Sequence, residues 1–495
     1  MKKTFLNAFF SILIGITSLF GQNAEPVKIE AWITNADRSK LFEKQADPIT
    51  FSTRDSRRGQ AIVIDDGQPL QSIDGFGYAL TGGSAELMMK MSATERNKLI
   101  HELFETDENN LGVSYIRLSI GSSDLNSFVF SYDDLKEGET DLPLAKFNLS
   151  QDTKDVIPVM KEILAINPKI KIVGSPWSAP TWMKSNNNAR GGSLKPEYYE
   201  VYARYFVKYI QGMKKEGITL DAITVQNEPL NSNNTPSMPM LAGEQKDFIK
   251  NNLGPEFKKA NITTKIILFD HNLDRIDYPL TTLRDGDAAK YVDGSGFHNY
   301  GGDFSAMTTL HTAYPDKNLY FTEQMVVEKP GSATIDIAAQ VKRLIIGATR
   351  NWSKNVILWN LAADPLNDPH TDNGGCPMCQ GAVTLDGDKV SRNLAYYTVA
   401  HASKFVRPGS VRISSTNKGD KSVVLNDDEE RQGSVRVTVL ENADVLPNVV
   451  FKTPEGKIVL IVANDTQSTN SCRIQYHGQY ATLRLSPGAV GTYIW

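Results

Sequence analysis

Glu228, in the run "ITVQNEP", and Glu323, in "LYFTEQM", each terminate a stretch of apolar, β-favouring residues. Two carboxyl groups at separate strand ends are the minimum apparatus for hydrolysing a glycosidic bond: one protonates the leaving oxygen while the other attacks the anomeric carbon or activates a water. A gap of about 5–5.5 Å between them gives retention of configuration, and about 6.5–9.5 Å gives inversion. On this chemistry Glu228 is the general acid/base and Glu323 the nucleophile. Glu228 then needs a raised pKa, which an apolar wall and the charge of Glu323 would supply. Glu323 must stay ionised, held so by hydrogen bonds from Arg117 and Tyr300. Once a covalent intermediate removes the charge of Glu323, the pKa of Glu228 should fall, making it the base for water. Asn227 suits a sugar 2-hydroxyl, and Trp177, Trp182 and Trp359 offer flat faces for sugar rings. His298 is either part of this site or a satisfied buried histidine.

The elements that must position these residues follow from periodicity. Eight short β-rich runs, at 72–79, 113–119, 170–175, 222–227, 265–270, 294–298, 319–323 and 356–360, alternate with segments of helical period. Eight such units predict an α/β fold of the closed (β/α)₈ barrel type, whose active site lies at the C-terminal ends of the strands. Glu228, Glu323, His298, Tyr300, Trp359 and Asp124 all fall at or just beyond those ends. Tyr199, Tyr202, Phe206 and Tyr209 recur at helical spacing and are expected to pack against the barrel. Beyond residue 405 the chain becomes short alternating runs separated by Gly, Asn and Asp, which predicts an antiparallel β-sandwich. The strand-rich segment 27–63 is expected to join it, leaving the barrel inserted between strands from both termini. The predicted domains are a signal peptide at 1–21, N-terminal sandwich strands at 22–70, the barrel at 71–404 and the C-terminal sandwich at 405–495.

Composition narrows the partners. With 495 residues, 40% hydrophobic and 22% charged, the chain can bury a large core, and a formal net charge of −4 gives no basic surplus for nucleic acid or an anionic membrane. Lys2 and Lys3 precede an apolar run at 5–20, the pattern of a secretory signal, too short to span a bilayer. A secreted or periplasmic protein without a stable membrane anchor is therefore expected. Cys376 and Cys379 form a C-x-x-C pair, and Cys472 is the only other cysteine. That set is too small for a four-ligand zinc site, so no metal is expected. The pair is expected to form a local disulfide stiffening a substrate loop, with free thiols as the alternative. No thioredoxin-like pattern surrounds it. Acid, nucleophile and water complete the chemistry, so no cofactor is implied.

With these residues assembled, the chain resembles glycoside hydrolase family 30, which contains lysosomal glucosylceramidases and bacterial and fungal β-1,6-glucanases. "IDGFGYALTGGSA", "YIRLSIGSSDL", "GSPWSAPTWMKSN", "TVQNEP", "FHNY", "FTEQ" and "ILWNLA" occur in the family's order and spacing. The resemblance implies a retaining mechanism, with the acid/base on the fourth strand and the nucleophile on the seventh, matching Glu228 and Glu323. It implies that Asp124, Trp177, Asn227 and Trp359 line the subsite of the glucose whose bond is cleaved, and that Arg117, His298 and Tyr300 stand behind them. Two departures bear on the leaving group. Asn299 replaces a tryptophan of the glucosylceramidases, and 374–380 replaces a "GGPNW"-like loop that gives an asparagine to the sugar. The expected substrate is a β-glucan, β-1,6-linked ahead of glucosylceramide. β-Xylan or β-fucoside hydrolysis is a rival within the enzyme class. A non-catalytic glycan-binding protein would be marked by loss of one carboxylate, and both are present.

Overall fold

Eight parallel strands close into a ring in chain order: Gly75–Leu80, Tyr115–Ile120, Lys171–Pro176, Ala222–Thr224, Lys265–Asn272, Val292–His298, Asn318–Glu323 and Ser353–Leu358, the last pairing back to the first through Val356 and Phe76. The computed structural model describes residues 27–54, 61–107, 109–329, 331–418, 422–426, 436–440 and 445–495, so the predicted signal segment lies outside the described residues. The second strand shows why the ring forms. Ile116, Leu118 and Ile120 point outward into the main hydrophobic core, while Tyr115 points inward beside Val173, Ala222, Ile267, Tyr320 and Ile357. Period-two alternation then turns Arg117 inward too, nearer the C-terminal mouth. Outside the ring, Thr81 and Ser92 cap their helices by accepting from Ser84 N and Glu95 N. The predicted aromatic stripe lies on helix Tyr199–Lys215, where Tyr202, Phe206 and Tyr209 are fully buried and Tyr209 stacks on Tyr132 at 5.4 Å.

Two strand ends depart from the predicted pattern. The fourth strand stops at Thr224, three residues short of expectation. The chain beyond stays tied to its neighbours through Asn227 N to Pro176 O (2.8 Å) and Glu228 N to Asp270 O (3.0 Å). In the fifth strand Phe269 and Asp270 both take positive φ, 72° and 71°, and pairing with the sixth strand skips from Phe269 to His271. This bulge breaks the alternation and turns the Asp270 side chain into the barrel.

Strands from both termini build the second unit. Its sheet runs Glu43–Lys44, Lys28–Thr34, Val490–Ile494, Ile458–Ala463, Asn448–Lys452, Val411–Ser415, Ala61–Ser72, Asn470–Tyr476, Gln479–Leu485, all antiparallel except Ala61–Ser72 with Asn470–Tyr476. Lys28–Thr34 pairs with Val490–Ile494, from Glu30 opposite Ile494 to Thr34 opposite Val490. Strands Ser422–Asn426 and Arg436–Leu440, expected in the sandwich, pair with one another in a separate hairpin. The unit is docked firmly on the barrel: Trp32 meets Phe405 at 4.4 Å and Phe76 meets Phe451 at 6.5 Å. Buried His401 bonds Thr34 and Thr492 at 2.8 and 2.9 Å, and burial pushes its pKa down to about 3, leaving a neutral ring at the joint.

Candidate active site

Arg117, 1% exposed, organises the mouth of the barrel. Its Nη1 donates to Glu323 Oε2 at 2.5 Å, and its Nη2 to Asn227 Oδ1 (2.8 Å), Asp270 Oδ2 (2.9 Å) and Ser175 Oγ (3.1 Å). The guanidinium also lies 4.8 Å from the Trp177 ring centroid. Trp177 and Trp359 are stacked at 5.3 Å and buried, so the cation and the two indoles form one rigid block. Tyr300 is 42% exposed, yet its hydroxyl is held, donating to Glu323 Oε1 (3.1 Å) and accepting from Met325 N (2.9 Å).

Glu228 stands opposite, with φ of 44°, a conformation disfavoured for a residue carrying a Cβ and kept here by surrounding bonds. Its Oε2 accepts from Asn231 (2.7 Å) and Asn234 (3.4 Å), and its Oε1 faces His298 Nδ1 at 3.3 Å and His271 Nε2 at 3.9 Å. A carboxylate oxygen of Glu228, a ring nitrogen of His298 and a carboxylate oxygen of Glu323 lie within 4.8 Å of one another. The two glutamates thus bring carboxylate oxygens close enough for both to reach one glycosidic bond. The same three groups have the donor types of a metal site, but Arg117 already supplies the positive charge on Glu323.

Electrostatics correct one expectation. Glu228 does not hold a raised pKa; although burial opposes its charge, the hydrogen bond and charge of His298, with His271 and Asn231, bring it down to about 2. Burial likewise opposes charge on His298, but Glu323, Asp270 and Glu228 push that ring up to about 10. The expected desolvation is present and is outweighed, so the proton rests on the His298 ring, one short transfer from Glu228 Oε1. Burial, with the charges of Glu228 and Asp270, raises Glu323 against the pull of His298 and Arg117. Asp124, 5% exposed, is pushed up to about 8 by burial and then by Glu323 and Glu228, which makes it a neutral donor near pH 7.

Among the expected site residues, Asn227 and Trp177 meet Arg117, Trp359 stacks on Trp177, the charges of both glutamates reach Asp124, and Arg117, His298 and Tyr300 contact the glutamates directly. Trp182 stands apart: its indole donates to Asp133 O (3.1 Å) and packs edge-on against Tyr198. Cys376 and Cys379 form a disulfide, and Cys472 is a buried free thiol.

The family model "Glycosyl hydrolase family 30 TIM-barrel domain" matches residues 73–406, and "Glycosyl hydrolase family 30 beta sandwich domain" matches 433–493. The chain belongs to glycosyl hydrolase family 30. This family 30 member is a hydrolase of O-glycosyl bonds, and its substrate is a carbohydrate. It is 35% identical to an endo-1,6-β-D-glucanase of Neurospora crassa, over 88% of this chain and 92% of that one. It is 27% identical to the lysosomal acid glucosylceramidase of Mus musculus, over 88% and 84%. The solved structure of an endo-β1,6-glucanase superimposes with a TM-score of 0.81 at 31% identity, covering 95% of this chain and 99% of the other.

Residues that sequence reasoning gave no role complete the site. Asp270, fully buried, accepts from Arg117, Ser175 (2.8 Å), Thr224 (2.7 Å) and Thr322 (2.5 Å) and faces His298 Nε2 at 3.1 Å. Burial opposes its charge, but Arg117 and His298 hold its carboxyl well below the usual range. Its signal was available: "IILFD" is an apolar run ending in a carboxylate at a barrel strand end. His271, Asn231 and Asn234 lay beyond such a rule, because a loop and a bulge bring them to Glu228.

Proposed function

We propose that this family 30 member is a secreted retaining β-glucosidic hydrolase acting on β-1,6-glucan, with Glu323 as nucleophile and Glu228 as general acid/base. The observation that carries the mechanism is that Glu228 and Glu323 bring carboxylate oxygens within 4.8 Å of one another, a closeness that favours retention over inversion, with a guanidinium on one carboxylate and an imidazole on the other. The glucan reading draws on the 35% and 31% identities to endo-1,6-β-glucanases over nearly the whole chain, against 27% for the glucosylceramidase. The apolar run after Lys2 and Lys3 supports export.

In the first step Glu323 Oε attacks the anomeric carbon while the proton shared by His298 and Glu228 passes through Glu228 to the departing oxygen. The glycosyl–Glu323 ester removes one negative charge, which weakens the pull of the pair on its proton. In the second step Glu228 takes a proton from water, the hydroxyl adds to the anomeric carbon, and Glu323 leaves as carboxylate. Asn227 Oδ1 accepts from Arg117 at 2.8 Å, which fixes the amide and offers its Nδ2 to a sugar hydroxyl.

Incubation with β-1,6-glucan, β-1,3-glucan and glucosylceramide in parallel, followed by product analysis and early-time NMR of the anomeric proton, tests this. Fastest turnover of the β-1,6-glucan with the β anomer appearing first is expected. Preference for glucosylceramide would replace the substrate, and an α anomer first would overturn the mechanism.

A further inference from the structure

The loop 371–380 after the eighth strand ties together the supports of both glutamates. Thr371 N donates to Asp124 O at 2.9 Å. Thr235 donates through its hydroxyl to Asn373 O (2.6 Å) and through its N–H to Gly374 O (3.3 Å). Thr235 shares a segment with Asn231 and Asn234, the amides on Glu228. At the other end the Cys376 and Cys379 sulfurs lie 3.9 and 3.5 Å from the Met325 thioether; with both cysteines oxidised these are van der Waals contacts. Met325 N in turn holds the Tyr300 hydroxyl that bonds Glu323. Cys379 also packs against the Trp177–Trp359 pair.

The fit is backbone to backbone. A Cβ on Gly375 would lie 2.3 Å from Thr371 O and 3.0 Å from Asp124 O, and one on Gly374 2.6 Å from Asn233 O. Only glycine allows so close an approach. The acid stands on the leaving-group side of a scissile bond. The 373–374 stretch abuts the segment just beyond that acid, and Met378 in the same turn is 57% exposed, an apolar surface free to meet a sugar.

We propose that the disulfide-closed loop 371–380 is the specificity-determining wall of the leaving-group side, with Met325 as its positioning residue against Glu323. The proposal rests on the glucosidic reading above. A second and third glucose unit need this wall, whereas an aryl glucoside needs only the glucose subsite and the carboxylates.

The test compares wild type, the C376S/C379S double variant and Met325→Leu on a β-1,6-linked glucose tetramer and on nitrophenyl β-glucoside, reading kcat and KM separately. For the double variant, KM on the tetramer should rise about tenfold, the equivalent of one lost contact. Its kcat/KM on the aryl glucoside should fall too, through the loop's hold on the glutamates, but by clearly less than on the tetramer, which alone also loses the wall. Met325→Leu, which keeps volume, should lie between the double variant and wild type. If the double variant fails to fold, a small dithiol supplies the comparison: it reduces the bond to two thiols and is itself oxidised, with alkylation and mass spectrometry verifying the reduced state. Equal losses on both substrates, or no loss on the tetramer, would overturn the proposal while leaving the glucosidic reading intact. Wild type inactive on both substrates would overturn that reading and the proposal with it.

Discussion

Asp270→Asn removes one charge and little volume from the centre of the site. The wild-type carboxylate receives four hydrogen bonds of 2.5–2.9 Å and faces His298 at 3.1 Å. An amide keeps the shape but leaves buried Arg117 with Glu323 as its only close carboxylate, and breaking a buried pair by removing one partner costs about 3–5 kcal/mol. His298 loses a hydrogen bond and a nearby charge, and an opposite charge at such distance shifts a pKa by about 1–3 units. The sign is fixed: Asp270 raises the ring, so its removal lowers it from about 10. The ring should therefore titrate within a unit or two of neutrality, leaving less proton for Glu228, while a tilted Arg117 misplaces Glu323; a misplacement of about 1 Å costs roughly 100-fold in rate. The assays are ¹⁵N-histidine NMR between pH 6 and 10, the His298 signal assigned by its absence in His298→Asn, together with kcat on nitrophenyl β-glucoside and a thermal melt. A His298 ring still cationic at pH 9 in Asp270→Asn, with kcat within about threefold of wild type, would refute the proposed electrostatic role of Asp270, since a lost general-acid proton costs about 10²–10⁴-fold.

Glu228→Gln should reduce turnover of β-glucan by about 10²–10⁴-fold and that of a dinitrophenyl glucoside, whose leaving group needs no proton, far less; equal losses would remove Glu228 from acid catalysis. Asp124, protonated below about 8, should tolerate Asp124→Asn at pH 6 better than Asp124→Ala, and the asparagine variant should lose any activity decline that wild type shows through pH 8; a pH–rate comparison decides it. Asp152, buried and accepting from Tyr132 at 2.6 Å, is raised by burial to about 7. A carboxyl whose folded pKa lies above its unfolded value contributes stability that is full below about 3.9 and lost as pH rises through 7. Asp152→Asn should therefore leave the melt unchanged at pH 3.5 and raise it at pH 8, by at most about 4 kcal/mol; melts at both values check the sign.

The barrel was legible because its signal repeats. Eight apolar runs with polar ends are present in the sequence; Glu323 and His298 close their strands as such ends predict, and Glu228 follows just beyond the shortened fourth. The missing parts fail for identifiable physical reasons. Asp270 was read as the last residue of a regular strand, and only the double positive φ at 269–270 turns it inward. The Glu228 proton was misplaced because its fate depends on three carboxylates around one imidazole, a spatial grouping drawn from four different strand ends. Trp182 shares composition with Trp177 but falls in the 3₁₀ turn Thr181–Met183, facing away from the mouth.

The pairing of Lys28–Thr34 with Val490–Ile494 has a consequence during synthesis. More than 450 residues separate the two strands, and at roughly 5–20 residues per second the ribosome needs about 20 to 90 s to deliver the second. Throughout that interval the edge of the first strand that will meet Val490–Ile494 stays open, since Glu43–Lys44 covers only the other edge. The barrel between them draws all but its closing strand pair from consecutive strands and can form meanwhile, which makes the sandwich the last part to assemble. A nascent or truncated chain ending before residue 490 would carry a finished catalytic ring beside an exposed strand edge, the kind of surface that chaperones bind and that promotes aggregation.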